Sequence, residues 1–550
     1  MRVVIIGGVA GGMSVATRLR RLDASAEIIV LERSGHVSFA NCGLPYYVGG
    51  VIEDEESLLL QTPASLFERF RLDVRVDTEA LAIDTDAKTV TARDLVKNQR
   101  YEMTYDYLVL SPGASPVIPP IAGIERALAL RNIEDVERIV SHVERAPRSA
   151  VVIGAGFIGL ELAENLTRRG IATTLVEATN QVLAPLDPEM ASPVADELRR
   201  HGVALRLGDS VEALTPTDVQ LASGSFVPAE LVVVAIGVRP ETGLARVAGL
   251  AIGERGGIVV DQFHRTSVAN VYAVGDAAEK EDALDGSATL VPLANVANRH
   301  GRVVADHIAG RAVRPVSTIG TAIVKVFDLT IATTGWNEKR LLAQGRGYFA
   351  VHTHPSSHAS YYPGAKSMYL KMLVDPLSGE ILGAQGVGTD GLDKRIDVLA
   401  TAIRAGLSAP ELADLELAYA PPFGSAKDPV NMLGYVAENV LSGLVETLQW
   451  HEVDQYRARG VTFIDVRTPE EFVLGTLPGA VNIPLDQLRE RVKEIESDEI
   501  VVTCQVGQRG HVATLLLNGL GLHARNLDGG YRTWSASPAS VDLQPVGTFN

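Results

Sequence analysis

The stretch Val151-Val152-Ile153-Gly154-Ala155-Gly156-Phe157-Ile158-Gly159 sets an apolar run directly against three glycines spaced Gly-x-Gly-x-x-Gly. The run reads as a buried parallel strand, and the glycines turn the chain into a helix whose N-terminus can face a pyrophosphate. The next apolar run, Ala172 to Val176, ends at Glu177, 23 residues after Gly154. An acid there accepts hydrogen bonds from ribose hydroxyls and repels a 2′-phosphate, and no arginine follows at once to offset it, so NADH is expected over NADPH. The chain also opens on this pattern. Val3-Val4-Ile5-Ile6 leads into Gly7-Gly8-Val9-Ala10-Gly11-Gly12, a helical stretch follows from Met13 to Leu22, and Glu32 ends the run Glu27 to Leu31, 25 residues after Gly7. Val9 stands where the second glycine of the strict pattern belongs. One such fingerprint is weak, but two, each with its strand, helix and acid, commit the chain to two Rossmann-like α/β domains.

At 550 residues the chain is too long for one core and should form three or four domains. Its 46% hydrophobic and 21% charged content is that of an ordinary globular protein, and a formal net charge of −17 argues against a nucleic-acid surface. No apolar run approaches the ~20 residues that span a bilayer. The N-terminus passes from a strand into glycines with no apolar signal core or cleavage site, so a cytoplasmic protein is expected. Only two cysteines occur, far apart and each inside its own motif, which suits a reducing compartment better than a disulfide framework.

The first lies in Ser38-Phe39-Ala40-Asn41-Cys42-Gly43-Leu44-Pro45-Tyr46-Tyr47. Gly43 permits close approach of a flat ligand, and Pro45 suits the first turn of a helix. A thiol at a helix N-terminus faces unpaired N–H groups, so Cys42 is expected to favour the thiolate and act as a redox nucleophile. The other possibility is a small buried hydrophobe. In the first helix Ser14, Arg18 and Arg21 fall at i, i+4 and i+7. They form either a solvated face or a pocket for the phosphates of a substrate arriving beside Cys42.

Tyr105 to Ala114 reads as a strand and a Pro-Gly turn leaving the first nucleotide domain. Leu231 to Pro240 mirrors it and should return the chain there, where Asn270 to Asp276 adds a strand ending in Gly-Asp.

Together these pieces resemble the FAD-dependent pyridine nucleotide-disulfide oxidoreductases over roughly residues 1 to 443. The resemblance implies an FAD-binding domain from 1–113 and 251–320, an NAD(P)-binding domain from 114–250 and an α+β dimerisation domain from 321–443. By the same resemblance Glu32 binds the adenosine ribose of FAD and Asp276 its ribityl chain. The implied cofactor-binding set is Gly7, Gly8, Ala10, Gly11, Gly12, Glu32, Arg33, Asn41, Gly113, Gly154, Gly156, Phe157, Ile158, Gly159, Glu177, Gly237, Gly275, Asp276, Pro292, Leu293 and Ala294.

Family members of the glutathione-reductase type carry a Cys-x4-Cys pair, but here Ser38 and Tyr47 flank a lone Cys42. Its oxidised form must then be a mixed disulfide, persulfide or sulfenic acid. The run Ser-Phe-x-x-Cys-Gly-x-Pro-Tyr looks like the coenzyme A-disulfide reductase branch, which implies Ser14, Arg18, Arg21, Ser38 and Asn41 as coenzyme A contacts. His358 to Gly364 and Tyr419 to Asp428 resemble that branch's interface motifs. They imply Tyr361 and Tyr419 as catalytic groups reaching the partner subunit's cysteine across a homodimer, and Lys427 as a phosphate contact. The alternative for these tyrosines is plain interface core.

Past Gly443 the pattern restarts. A charged helical stretch from Trp450 to Arg459 is followed by strands at Val461–Arg467, Gly479–Pro484 and Ile500–Thr503. The loop Cys504-Gln505-Val506-Gly507-Gln508-Arg509 then precedes a helical run from His511 to Leu517. A strand, a short loop and a helix make a nest of inward N–H groups, able to hold a thiolate or persulfide on Cys504 with Arg509 adding charge. Residues from about 450 to 536 resemble a rhodanese domain, with Asp465-Val466-Arg467 and Asp528-Gly529-Gly530-Tyr531 also matching, which implies a rhodanese domain over 450–550. A phosphatase-like loop and an inactive structural module are the alternatives.

The expectation is an FAD-dependent NAD(P)H oxidoreductase that reduces coenzyme A disulfide, coenzyme A persulfide or polysulfide through Cys42, with Cys504 handling sulfane sulfur. Rivals are an NADH oxidase or peroxidase cycling Cys42 as sulfenic acid, and a flavin-binding redox sensor without turnover. Neither a metal, nor nucleic acid, nor a membrane is expected as a partner.

Overall fold

The first β-strand, Arg2–Ile6, is apolar on both faces because it sits in the middle of a parallel sheet covered on both sides. This computed structural model describes residues 1–541; residues 542–550, the end of the expected rhodanese-like segment, lie outside the described residues. The chain divides into two compact units, one of Met1–Asn180 with His201–Gly320, the other of Gln181–Arg200 with Thr321 onward.

In the first unit five parallel strands stand in the order Val271–Ala273, Tyr107–Leu110, Arg2–Ile6, Glu27–Leu31, Asp73–Arg75. Val3 and Ile5 point to one face, packing with Val15, Leu19 and Val304 of the helices Ala10–Leu22 and Ala294–Ile308. Val4 and Ile6 point to the other, with Leu108 and Ile258. A second parallel sheet runs Ala204–Leu207, Ala172–Glu177, Ser149–Ile153, Leu231–Val234, Leu128–Ala129. Ala114–Pro116 and Val238–Pro240 pair antiparallel, so the outgoing and returning segments run side by side as their mirrored sequences suggest. Two antiparallel three-stranded sheets, from Thr78 to Thr104 and from Val211 to Pro228, and a two-stranded one, Lys280–Glu281 with Ala288–Thr289, also belong to the unit.

The second unit holds an antiparallel sheet ordered Ala322–Val326, Leu329–Gly335, Ile381–Gly388, Met368–Val374, Phe349–Thr353, with the helices Leu392–Ala405 and Pro429–Leu441. Its other sheet is wholly parallel, ordered Thr447–Leu448, His523–Leu527, Glu499–Thr503, Thr462–Asp465, Val481–Asn482. The fold class is the expected one: two Rossmann-like sheets, an α+β region and a C-terminal α/β region.

Local bounds differ from the sequence expectation. The first helix starts at Ala10, inside the glycines, because their N–H groups already belong to its first turn. The strand expected over Gly479–Pro484 shrinks to Val481–Asn482, since Gly479 takes a positive φ of 80° and Pro484 has no N–H to pair. The helix expected from His511 starts at Gln508, directly on the left-handed Gly507. Among the described residues no helix is long and apolar enough to cross a membrane.

Candidate active site

The two glycine turns are built alike. Gly7 and Gly154 have φ of 104° and 103°, and a Cβ added to Gly12 or Gly159 would lie 1.9 Å from the carbonyl oxygen of Gly7 or Gly154 respectively. Only glycine lets each helix start so close to its strand. Glu32 Oε2 accepts from Gly8 N at 2.7 Å, and Glu177 Oε2 from Ala155 N at 2.9 Å. Each acid is steadied by the residue two further on: Ser34 donates to Glu32 Oε1, and Thr179 to Glu177 Oε1. Both carboxylates thus stand at the mouth of a helix N-terminus, the place for a ribose beside a pyrophosphate.

Around the first turn the other expected cofactor residues gather from distant segments. Gly11 faces Ser111 Oγ and Gly275 N, with 2.7 and 3.6 Å left for a Cβ, and Gly113 and Gly275 both take positive φ. Asp276 lies on the turn Gly275–Ala277, where burial raises its carboxyl while Lys280 and Arg131 pull the other way. Lys280 Nζ donates to the carbonyls of Gly275 and Ala278 at 2.7 and 2.8 Å, and burial brings its ammonium down to about 8. Neither Lys280 nor Arg131 carries a sequence motif. Arg33 and Asn41 are exposed, and Pro292, Leu293 and Ala294 lead into the helix Ala294–Ile308. Around the second turn, Phe157 and Ile158 open the helix Phe157–Arg168, and Gly237 takes φ of 119° beside the crossing strands. Gly7, Gly12, Gly154 and Gly159, where a Cβ would meet backbone, and the acids on the helix mouths fit dinucleotides at both turns.

Cys42 occupies a 3-10 turn, Asn41–Gly43, ahead of the five-residue helix Leu44–Val48. The expected activation by a helix N-terminus is corrected here. Its thiol lies above the ordinary value, because the surrounding protein strips water from the sulfur and the carboxylates of Glu161 and Asp276 add negative potential. A single short turn offers little dipole to oppose this. Glu161, which no motif marks, comes from the helix Phe157–Arg168 and accepts a hydrogen bond from Tyr46 Oη at 3.1 Å. Burial, helped by Glu164, pushes its carboxyl up to about 7 against the opposing bond from Tyr46. Its signal, visible only afterwards, is an acid on the otherwise apolar run Phe157 to Leu162.

Ser38 adopts a left-handed φ of 52° and donates its N–H to Gly8 O at 2.8 Å, joining the Cys42 segment to the first glycine turn. Ser14 and Arg18 face the helix Ala294–Ile308: Ser14 Oγ donates to Asn298 Oδ1 at 2.8 Å, and Arg18 to Asp306 Oδ1 through Nε and Nη2. Arg302 and Arg311 approach the same aspartate, both at 3.8 Å, so three guanidiniums surround one carboxylate. Arg21 is exposed. Of the expected face, Arg18 is therefore tied to Asp306 while Arg21 faces solvent.

In the second unit, Tyr361 and Tyr419 meet hydroxyl to hydroxyl at 2.9 Å. Both are exposed, at 74% and 48%, and Phe423 beside them at 72%. A cavity of about 490 Å³ adjoins Tyr419 and Phe423, with Lys394 and Arg395 on its wall. Arg395 is buried and donates to Asp428, whose carboxylate caps the helix Pro429–Leu441. Lys427, next to that cap, is exposed and lies 5.9 Å from the centre of the Tyr435 ring.

Cys504 follows the strand Glu499–Thr503 directly, as a fully buried residue packed among Ile464, Val466, Val502 and Ala513. The loop behind it turns through Gly507 (φ 87°) into the helix Gln508–Gly519. Arg509 is committed more than expected: it forks onto Glu471, Nη1 to Oε2 and Nη2 to Oε1, both 2.7 Å, holding that carboxyl down to about 2. Arg467 is buried, pairs with Asp465, and donates to Gln505 Oε1 at 3.0 Å, fixing the second residue of the loop.

The family model for pyridine nucleotide-disulphide oxidoreductases matches residues 1–301, more than half of the chain. The chain belongs to this family. The family's dimerisation domain matches residues 321–429 of this oxidoreductase, and a rhodanese-like domain residues 449–537. It is 36% identical over 441 residues to the coenzyme A disulfide reductase of Staphylococcus aureus strain JH9, an alignment covering 80% of this chain and 100% of the relative. Reduced CoADR-RHD of Bacillus anthracis is 49% identical with a TM-score of 0.96, over 97% of this chain and 98% of that one. A NAD-dependent persulfide reductase from A. fulgidus is 41% identical with a TM-score of 0.92, over 97% and 100%. This oxidoreductase is thus a homologue of disulfide and persulfide reductases and carries a rhodanese-like domain after its dimerisation domain.

Proposed function

We propose that the protein is a homodimeric NADH-dependent reductase of coenzyme A disulfide and of coenzyme A persulfide or polysulfide, holding FAD at the first glycine turn and NADH at the second. The observation that carries this reading is Cys42, a free thiol beside Glu161 and Asp276 with no second cysteine in its motif. With no second cysteine in its motif Cys42 cannot close an internal disulfide, and its resting oxidised form is a mixed disulfide with coenzyme A. When bound, FAD supplies two-electron transfer between nicotinamide and sulfur.

Glu32 and Glu177 orient the two riboses, and Glu177 disfavours a 2′-phosphate. Arg18, Arg302 and Arg311 together outweigh Asp306 and give the coenzyme A phosphates a basic rim. Reduction of the mixed disulfide takes two electrons and two protons and releases Cys42 and free coenzyme A as thiols. The Tyr361 and Tyr419 hydroxyls, presented on an exposed aromatic surface of the dimerisation domain, donate the proton to the leaving thiolate across the dimer. Lys427 holds a phosphate beside them. Cys504 accepts sulfane sulfur and delivers it to coenzyme A or to Cys42. The protein acts in the reducing environment of the cytoplasm.

The test is mass spectrometry of the purified protein with NADH turnover on coenzyme A disulfide. A coenzyme A adduct on Cys42, yellow protein and turnover abolished by Cys42→Ser are expected. An unmodified or sulfenic Cys42 with oxygen as the sole acceptor overturns the reading.

A further inference from the structure

His352 lies in the edge strand Phe349–Thr353 of the antiparallel sheet, 3% exposed, and none of the proposed chemistry uses it. Its Nδ1 is 2.6 Å from Asp528 Oδ2, its backbone N–H donates to the same carboxylate at 3.0 Å, and its Nε2 is 3.0 Å from Glu189 Oε1. Both ring nitrogens therefore face carboxylate oxygens, an arrangement satisfied only when both carry protons. Its cross-strand neighbour Lys371 is fully buried and pairs with Glu189, with Asp187 at 2.9 Å and with Glu338 at 3.1 Å. Four carboxylates thus surround two cations, and a neutral His352 would leave Asp528 and Glu189, both buried, undercompensated.

Asp528 begins the turn on which the sulfur-carrying loop is built. Gly529 and Gly530 both take φ of 65°, and a Cβ on Gly530 would lie 2.4 Å from Cys504 O and 2.7 Å from Gly507 N. Tyr531 N donates to Cys504 O at 2.8 Å, and Arg532 N to Gln505 O at 3.0 Å. Any shift of this turn is transmitted to the loop backbone with no slack between them.

We infer that cationic His352 is a positioning residue for sulfur transfer: clamped between Glu189 and Asp528, it fixes the Asp528-Gly529-Gly530 turn and so the geometry of the Cys504 loop. The inference rests on Cys504 as a sulfur carrier. Besides Glu189, Asp528 and Lys371, His352 faces the neutral Gln449 amide, which donates to Asp528 Oδ2 at 3.3 Å, and His354, which burial, with Arg532 and His352, keeps uncharged. The two carboxylates outweigh burial and Lys371 and raise the imidazole to about 9. Its clamp is complete below the ordinary histidine value of 6.5 and is lost as pH rises through about 9.

The test follows one half-reaction: the Cys504 thiolate attacks inorganic polysulfide, forming a Cys504 persulfide and releasing a polysulfide one sulfur shorter. Peptide-resolved mass spectrometry gives its rate in the full-length flavin-loaded protein against pH. His352→Gln should load Cys504 about tenfold more slowly than the parent near pH 7, and the gap should close above about pH 9, where the parent histidine is itself neutral. Asp528→Asn should behave the same way. NADH turnover on coenzyme A disulfide checks that each variant is folded. Equal rates at pH 7, or a gap independent of pH, overturn the role of His352. If neither variant folds, the parent decides: loading that slows above about pH 9 supports the clamp, and loading that keeps rising overturns it. No loading of Cys504 in the parent at any pH removes the carrier reading and this inference together.

Discussion

Tyr46 Oη donates to Glu161 Oε1 at 3.1 Å, tying the helix that starts on the second glycine turn to the segment that bears Cys42. Glu161 is among the groups that hold the Cys42 thiol above its ordinary value. Replacing it with glutamine keeps the shape and removes the charge, so the thiol should move down and more thiolate should be present at neutral pH. Alkylation of reduced Cys42 by iodoacetamide at pH 7.5 should be a few-fold faster in Glu161→Gln. An unchanged or slower rate would show that the Glu161 charge does not bear on the thiol.

The hydroxyl pair of Tyr361 and Tyr419 can pass one proton while the second hydroxyl steadies the first, so each tyrosine covers partly for the other. Tyr361→Phe and Tyr419→Phe singly should lower kcat for coenzyme A disulfide about tenfold, and the double variant about 10²-fold or more. Stopped-flow reduction of the flavin by NADH should not change in either. A loss confined to flavin reduction would move these residues out of the sulfur half of the reaction.

Lys371, wholly enclosed, is the shared cation of Asp187, Glu189 and Glu338. Lys371→Met leaves three buried carboxylates facing one another and should cost about 3–5 kcal/mol of stability, read as a lowered urea midpoint. In the parent the same cluster sets a pH window. Glu189 is held well below its ordinary value of 4.5 by Lys371 and His352, so its contribution is present above that value and fades as pH falls below it. His352 is raised, so its contribution fades between 6.5 and about 9. Thermal scans should give highest stability between these limits.

The twin glycine contacts can be broken one at a time. In Gly12→Ala the new methyl meets Gly7 O, and the protein should be isolated without yellow colour; in Gly159→Ala it meets Gly154 O, and the protein should stay yellow but fail to be reduced by NADH. Visible absorbance before and after NADH addition separates the two. Colour retained in Gly12→Ala would show that the first turn relaxes around a methyl.

Features carried by a short window were legible in the sequence. Val3 to Gly12 and Val151 to Gly159 announce their strand, turn and helix because an apolar run set against closely spaced glycines lies within a few residues of sequence, and the paired returns at Ala114–Pro116 and Val238–Pro240 each end in a proline. The sheet from Thr78 to Thr104 left no clear signal, since its strands mix charged and apolar residues on a half-solvated face. Long-range electrostatics were illegible. Glu161 is 119 residues from Cys42, and the cluster of Glu189, His352, Lys371 and Asp528 is drawn from four separate segments. Each of these residues looks like ordinary surface charge until the fold encloses it, and that enclosure reversed the expected direction of the Cys42 thiol.

The helix Phe157–Arg168 works as a ruler. Phe157 opens it at the second glycine turn and Glu161 follows four residues later, about 6 Å along the axis at the α-helical rise. Deleting one residue between them would swing the carboxylate by about 100° around the axis and away from Tyr46. The distance from the second glycine turn to the carboxylate that acts on the Cys42 thiol is therefore gauged by a single helical turn.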